Sequence, residues 1–489
     1  MLYMILLALG LAALYLIHVN AAMKRVPEEA HRASPTRWTT EEVKATYERI
    51  LKNDVDVVND LPPKQSRRYI VVGGSGLVGA WIVSHLLARG EDPASLRILD
   101  LAAPTAEILE RGVAYFKTDI TDQSSVSAAF THPWLAQVAQ KPLTVFHTAA
   151  IIRPYERLER YLPLSEKVNV HGARNVLQAA KESSASCFIS TSSGSVNLHK
   201  PSFWITPWER VPRRAVQILS DQAQLPQRHD EFFSNYARTK LETERFVCAA
   251  DDQTSGFRTG CIRPANGIYG VGNETSGTVV GLYLRSGGSP TWTSNIIHSF
   301  INAENVSVAH LLYEQRLIEQ SQPSSTLPNI GGQSFVVTDP NPAISFEDIY
   351  TLLVNFSKTP VSFPRVEPLP LYIIAHLVEA YVYIQDAWLP WLLPKIKGDL
   401  LQLQPSLFAI SDVFCIADDS RARKAPADGG LGYRPTMSTL EGMCKELVKW
   451  NQKATAKTVR DIQDKVADGP VVVGPEGIEV KLVAPEKSV

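Results

Sequence analysis

Tyr236 and Lys240 stand four residues apart in Tyr236-Ala237-Arg238-Thr239-Lys240, a spacing that brings a phenol and an ammonium to one face of a helix. A phenol with an unperturbed pKa near ~10 is a poor base at neutral pH, and a fixed cation beside it stabilises the phenolate. Such a pair can take the proton of a secondary alcohol or return one to a ketone. The same ammonium can hold the ribose hydroxyls of a nicotinamide cofactor. The hydroxyl cluster Ser190-Thr191-Ser192-Ser193-Gly194-Ser195-Val196 follows an apolar run and would present a serine to the same oxygen; its offset from Val196 selects Ser193, with Ser192 as the fallback. A serine nucleophile is the rival reading, but these serines lie in no GxSxG elbow.

Hydride chemistry needs a dinucleotide, and Val72-Gly73-Gly74-Ser75-Gly76-Leu77-Val78-Gly79 offers the turn for one between an apolar strand and an apolar helical stretch. Gly73 permits the tight turn, Gly76 lets backbone N–H groups approach a pyrophosphate, and Gly79 lets the helix pack close to the sheet. Gly73, Gly76, Leu77, Val78 and Gly79 are therefore expected cofactor contacts. Asp100 closes the second strand 21 residues after Gly79, where a carboxylate can accept both adenosine ribose hydroxyls and repel a 2′-phosphate. Leu101-Ala102-Ala103-Pro104 supplies no Arg to bind such a phosphate, so NAD is expected over NADP. Asp119 and Ile120 fit the adenine edge, although Asp119 reads equally well as a helix cap. Thr148 and Ala149, in His147-Thr148-Ala149-Ala150, are small residues where backbone must approach the cofactor.

Six short apolar runs hold these motifs: Tyr69–Val72, Leu96–Leu99, Val113–Phe116, Leu143–Phe146, Cys187–Ser190 and Thr259–Ile262. They are separated by segments long enough for crossover helices, the pattern of an α/β fold with a Rossmann-type doubly wound parallel sheet. Ligands of such sheets bind at the carboxyl ends of the strands, where the motifs stand. The expected layout is an N-terminal membrane anchor over residues 1–22, a polar spacer over 23–67 with one helix-like stretch beginning at Thr39-Thr40-Glu41-Glu42, an NAD-binding domain over 68–264, a smaller substrate-binding portion over 265–450 and a mobile tail over 451–489. Within the substrate portion, Leu371–Leu393 is apolar but interrupted by Glu379, Gln385, Asp386 and Pro390. It reads as a buried helix or as one dipping into a membrane interface, not as a second span.

Leu2–Val19 contains no Lys, Arg, Asp or Glu, and 18 helical residues reach roughly 27 Å, enough for a thin bilayer. A cleaved signal peptide is the rival. No basic residue precedes the run, whereas Lys24, Arg25, Arg32 and Arg37 follow it, which favours an uncleaved anchor with the catalytic body in the cytosol. The sequons at Asn273, Asn305 and Asn355 are then chance matches. A net charge of -1 with 49 dispersed Lys and Arg excludes a nucleic-acid partner. The five cysteines have neither CxxC nor Cys/His spacing, so no metal site is expected.

Taken in order, GGSGLVG, Asp100, HTAA, Lys167-Val168-Asn169-Val170-His171-Gly172, STSSGSV, YARTK and Arg263-Pro264-Ala265-Asn266-Gly267-Ile268-Tyr269-Gly270 resemble the extended short-chain dehydrogenase/reductases. Within them the chain resembles the 3β-hydroxysteroid dehydrogenase family, including sterol-4α-carboxylate 3-dehydrogenases, over about residues 68 to 450. The resemblance implies that Asn169 shapes the active-site helix, that Pro264 borders the nicotinamide, and that a sterol-sized pocket belongs to a protein of the endoplasmic reticulum membrane. It leaves open a homodimer or association with other sterol-pathway enzymes. Read from the residues alone, Asn169 is a helix-start residue and His310 a packed core histidine. One departure is the 43-residue interval from Ser193 to Tyr236, longer than the family habit, which would reshape the substrate mouth.

The expected reaction is NAD-dependent oxidation of a 3β-hydroxyl on a sterol or triterpenoid, with loss of CO2 where a 4-carboxylate is present. The alternatives are a dehydrogenase/isomerase or ketone reductase for a specialised steroid-like metabolite, and a cofactor-binding scaffold without turnover.

Overall fold

The computed structural model describes residues 1–272, 277–340 and 342–456. Its centre is a sheet of seven parallel strands: β1 (Arg68–Val72), β2 (Leu96–Asp100), β3 (Ala114–Lys117), β4 (Leu143–His147), β5 (Ala185–Thr191), β6 (Arg258–Pro264) and β7 (Gln333–Val337), in the order β7-β6-β5-β4-β1-β2-β3. Side chains alternate across a strand, and in the inner strands both faces are buried, which is why those strands read as unbroken apolar runs, whereas the edge strand β3 is partly exposed. Tyr69 and Val71 face a core with Phe146, Ile189, Ile262 and Phe335, closed by the helices Leu77–Ala88 and Ala303–Gln320. Ile70 and Val72 face the opposite core with Leu99, Val145, Phe188 and Cys261, closed by Gln123–Thr131 and Ala173–Glu182. The order reverses between β1 and β4, so the crevice for a ligand opens at their carboxyl ends.

The expected boundary at residue 264 does not hold the sheet, because β7 comes from beyond it and pairs with β6, Phe335 opposite Ile262. Residues 23–67 are not a spacer. They contain the helices Glu28–Ala33 and Thr40–Lys52, and Ala30, Val43 and Ile50 are buried in a second core with Tyr350, Met443 and Leu447. Val43 and Ile50 lie seven apart, two turns along one face, and their partners come from the far end of the chain.

The long interval after Ser193 is ordered. Val216–Ser220 pairs in parallel with Phe414–Asp418 in a four-stranded sheet, and the hairpin-like stretch between Ser202 and Arg213 closes on itself. Its Phe203 and Ile205 pack with Val19, Ala22 and Met23 of the N-terminal helix Leu2–Met23 and with Leu369, Tyr372 and Ala375 of the helix Pro368–Ala387. Leu371–Leu393 is thus helical only as far as Ala387, and that helix is buried along one face only. The expected tail begins inside the last helix, Thr439–Ala456, and its residues from 457 onward lie outside the described residues, as does Asn273. Asn305 is fully buried and donates to Asp339 and Met437, so that sequon is no acceptor.

Candidate active site

One cavity of about 700 Å³ opens at the strand ends. Every residue expected from the sequence lines it: Gly73, Gly76, Leu77, Val78, Gly79, Asp100, Asp119, Ile120, Thr148, Ala149, Ser193, Tyr236, Lys240 and Pro264.

At the turn after β1, Gly73 has φ +81°, a left-handed conformation suited to glycine, and a Cβ there would lie 2.6 Å from the Ala149 nitrogen. A Cβ at Gly79 would lie 2.2 Å from the Gly73 oxygen, so the helix could not approach the turn with any other residue. Gly76 caps that helix, whose first turn carries no acidic residue and whose free N–H groups suit a phosphate. The Thr148 hydroxyl, within bonding distance of the Val72 and Gly73 carbonyls, ties β4 to the turn. Asp100 is held at the rim by two backbone donors, Ser75 N–H at 3.0 Å and Ala102 N–H at 3.2 Å. A carboxylate so fixed is oriented for ribose hydroxyls and repels a further phosphate. Asp119 is not the helix cap: Asp122 accepts from Ser124 N–H at the start of Gln123–Thr131, while Asp119 accepts from the N–H and hydroxyl of Thr121. The cradle fits NAD.

Tyr236 and Lys240 lie in the first turns of the helix Asn235–Ala249, capped by the Ser234 hydroxyl, and each is at most 5% exposed. Lys240 Nζ donates to the Thr191 carbonyl at 2.6 Å, which holds the ammonium at the end of β5. The Thr191 hydroxyl meets His310 Nε2 at 2.8 Å, and His310 Nδ1 lies 2.8 Å from the Val306 carbonyl. A neutral imidazole that donates from Nδ1 accepts at Nε2, and burial pushes His310 down to about 4. His310 is therefore a packed histidine that braces the strand end under Lys240, and it does not line the cavity.

Asn169 sits in a π-helical turn, Lys167–Gly172; its Oδ1 accepts from Ile151 N–H, and its Nδ2 donates to the Ile151 carbonyl and to Thr239 Oγ1. It thereby joins the loop after β4 to the residue beside Lys240. Ser193 Oγ accepts from Ser195 N–H at 3.1 Å and shares a hydrogen with Ser195 Oγ at 2.8 Å. Ser192 Oγ and both amide atoms of Asn266 are buried without a partner, and both residues line the cavity. Sequence reasoning passed over Asn266; the signal lay two residues after Pro264, but its meaning depends on the bend that turns it toward Gly194.

A parallel seven-stranded sheet with a glycine-rich first turn, an acid closing β2 and a Tyr/Lys pair at the same cavity defines a dinucleotide-dependent oxidoreductase of the extended short-chain type. The chain belongs to the 3-beta hydroxysteroid dehydrogenase/isomerase family, whose model matches residues 70–362. Similar proteins include a 3-beta-hydroxysteroid dehydrogenase of Mycolicibacterium neoaurum, 27% identical over 82% of this chain and 96% of that one. Another is the human sterol-4-alpha-carboxylate 3-dehydrogenase, decarboxylating, 26% identical over 80% of this chain and 89% of that one. Among solved structures, a UDP-glucose-4-epimerase from Stenotrophomonas maltophila with bound NAD shares the fold at a TM-score of 0.53 and 16% identity, covering 80% of this chain and 99% of that one.

Proposed function

We propose that the protein oxidises the 3β-hydroxyl of a sterol or triterpenoid, a 4-carboxysterol in the first instance, with NAD as oxidant. The observation that carries this reading is the convergence of Tyr236, Lys240 and Ser193 with the Asp100 and Gly73–Gly79 cradle on one cavity. Gly73, Gly76, Leu77, Val78 and Gly79 would hold the pyrophosphate, Asp100 the adenosine ribose, Asp119 and Ile120 the adenine edge, Thr148 and Ala149 would let the backbone approach the cofactor, and Pro264 would border the nicotinamide. Bound NAD supplies the two-electron acceptor for the hydride of the carbinol carbon. Ser193 Oγ holds the substrate hydroxyl, and Tyr236 Oη, kept as phenolate by the Lys240 ammonium, takes its proton. Where a carboxylate sits on the adjacent carbon, the product is a β-keto acid; CO2 leaves because the new ketone accepts the electron pair as an enolate, which is then protonated.

The reading includes anchoring by Leu2–Met23 in the endoplasmic reticulum membrane with the body in the cytosol. Among the described residues this one helix is long and apolar enough to cross a membrane, and Lys24 and Arg25 follow it. The ordered insert between Ser193 and Tyr236 supports the alternative substrate, a specialised steroid-like metabolite, since Phe203 and Ile205 reshape the body beside the helix Pro368–Ala387.

The test is to mix purified protein and NAD with 3β-hydroxysterols bearing or lacking a 4-carboxylate, following NADH and CO2. NADH and CO2 together with the carboxysterol are expected. No NADH with any sterol overturns the reading, and NADH without dependence on the carboxylate moves it to the alternative.

A further inference from the structure

Of the nine tryptophans in the chain, the four exposed ones, Trp204, Trp208, Trp388 and Trp391, belong to two neighbouring regions: the insert after Ser193, and the end of the helix Pro368–Ala387 with the loop that follows it. The two regions touch, with the Trp204 ring 6.0 Å from that of Tyr372. Along the same helix the outward stripe is Ile373, Ile374, Leu377, Tyr383, Ile384 and Trp388, at helical spacing, with Leu377 64% and Trp388 71% exposed. Its buried face carries Leu369, Tyr372, Ala375 and Val378 together with Glu379, whose carboxylate accepts from Arg157 Nε and Nη2 at 2.8 and 2.7 Å. Both faces of this helix are therefore largely apolar, where a helix on the surface of a soluble body turns a polar face to water.

The N-terminal helix leaves the body at this place. Tyr15 donates to the Ile205 carbonyl at 2.9 Å, beside Trp204, and Asn20 and Lys24 hold Glu367 at the start of the Pro368–Ala387 helix. Residues 2–14 are exposed on all sides. Exposed Arg210 and Arg214 stand near Trp208, and exposed Lys395 and Lys397 follow Trp391. Tryptophan with lysine and arginine, beside an apolar stripe, is the composition of a surface lying at the headgroup level of a bilayer.

We infer that the insert tip and the outer face of the Pro368–Ala387 helix form a collar that lies in the interfacial zone of the membrane the N-terminal helix crosses. Arg157 belongs to the loop whose Ile151, Ile152 and Arg153 line the cavity, so the collar is tied through Glu379 to the wall of the site. A lipid-dissolved alcohol then meets the site from the membrane side. This rests on the membrane-anchored reading above.

The N-terminal helix contains no tryptophan, so tryptophan quenching reports the collar alone. Full-length protein is reconstituted into phosphatidylcholine vesicles with and without brominated acyl chains, and compared with a variant carrying W204F, W208F, W388F and W391F. The wild type should be quenched and the variant's remaining emission unaffected. Wild-type emission indifferent to bromine in protein that floats with the vesicles would overturn the collar. Quenching that persists undiminished in the variant would overturn it equally. A second variant, Leu377→Glu with Ile384→Glu, should raise KM for vesicle-borne sterol several-fold at unchanged kcat, and an unchanged KM counts against the collar. Absence of NADH from every sterol in a protein that is quenched as expected would sink the catalytic reading and leave the collar standing. Failure to float at all sinks the anchor and the collar together.

Discussion

Around the cofactor turn, position is set by backbone against backbone. Gly73, Gly79, Thr148 and Ala149 touch so closely that no larger side chain fits at either glycine. Around the insert and the Pro368–Ala387 helix, position is set by one buried face of side chains, Phe203, Tyr372 and Phe408, while the other face stays apolar and open. The first region tolerates almost no change in shape; the second tolerates change in shape but depends on what covers it. On the proposed reading the choice of cofactor resides in fixed atoms and the access of substrate in a surface. Tyr236 and Lys240 stand between the two.

Tyr236→Phe should break both regions' common purpose, lowering kcat by about 10²–10⁴-fold while leaving the Kd for NADH unchanged. Unaltered turnover would remove Tyr236 from the mechanism. Gly79→Ala should weaken NADH binding and lower stability by about 1–3 kcal/mol, since the new Cβ meets the Gly73 carbonyl; thermal melts and NADH titration read both effects. Asp100→Ala should lower kcat/KM for NAD by roughly 10–100-fold, corresponding to lost hydrogen bonds to a charged group of about 1.5–3 kcal/mol, without lowering that for NADP. A parallel loss with both cofactors would contradict the role given to its charge. In the other region, Arg157→Ala should strip Glu379 of its partner, lowering Tm and raising KM for sterol with kcat retained. A fall in kcat with KM unchanged would contradict a role for Arg157 in substrate access.

The smallest effect lies outside both regions. Burial pushes Glu446 up to about 7, while Gly270 N–H at 3.0 Å and the Thr278 hydroxyl hold its carboxyl. The folded chain thus keeps a proton that the unfolded chain has lost. That contribution is complete below the ordinary carboxylate pKa of about 4.3 and is lost as pH rises through about 7. Glu446→Gln should therefore gain in Tm relative to wild type between about pH 5 and about pH 8. A constant difference would contradict the buried neutral acid. His147 and His310, pushed down to about 3 and about 4, act in the opposite sense in both proteins and drop out of the difference.

The cofactor region was legible in the sequence because its constraints are local: a glycine needed at Gly73 or Gly79 is needed whatever the distant chain does. All six strands read as apolar runs are present; five are buried on both faces and so must be apolar throughout, while β3, at the edge of the sheet, is partly exposed. β7 escaped notice because Phe335-Val336-Val337 is short and arrives after a long crossover, so only its pairing with β6 marks it as part of the sheet. The start of the helix Thr40–Lys52 was legible in Thr39-Thr40-Glu41-Glu42, but its place in the body was not, because its two buried residues find partners in Thr439–Ala456. Asp119 and Asp122 could not be separated by residue type, as either can cap; the chain path decided for Asp122. The outward stripe of Pro368–Ala387 was equally hidden, because an apolar helix does not announce which face the body takes.

The central claim is that hydride leaves the carbon bearing the 3β-hydroxyl while Tyr236 takes the hydroxyl proton. A 3β-hydroxysterol carrying deuterium at C3, oxidised in a single turnover with NAD, tests it most directly by mass analysis of the reduced cofactor. One deuterium in the reduced nicotinamide is expected with the wild type, and its formation about 10²–10⁴-fold slower with Tyr236→Phe. Unlabelled NADH, or labelled NADH formed equally fast by Tyr236→Phe, would contradict it.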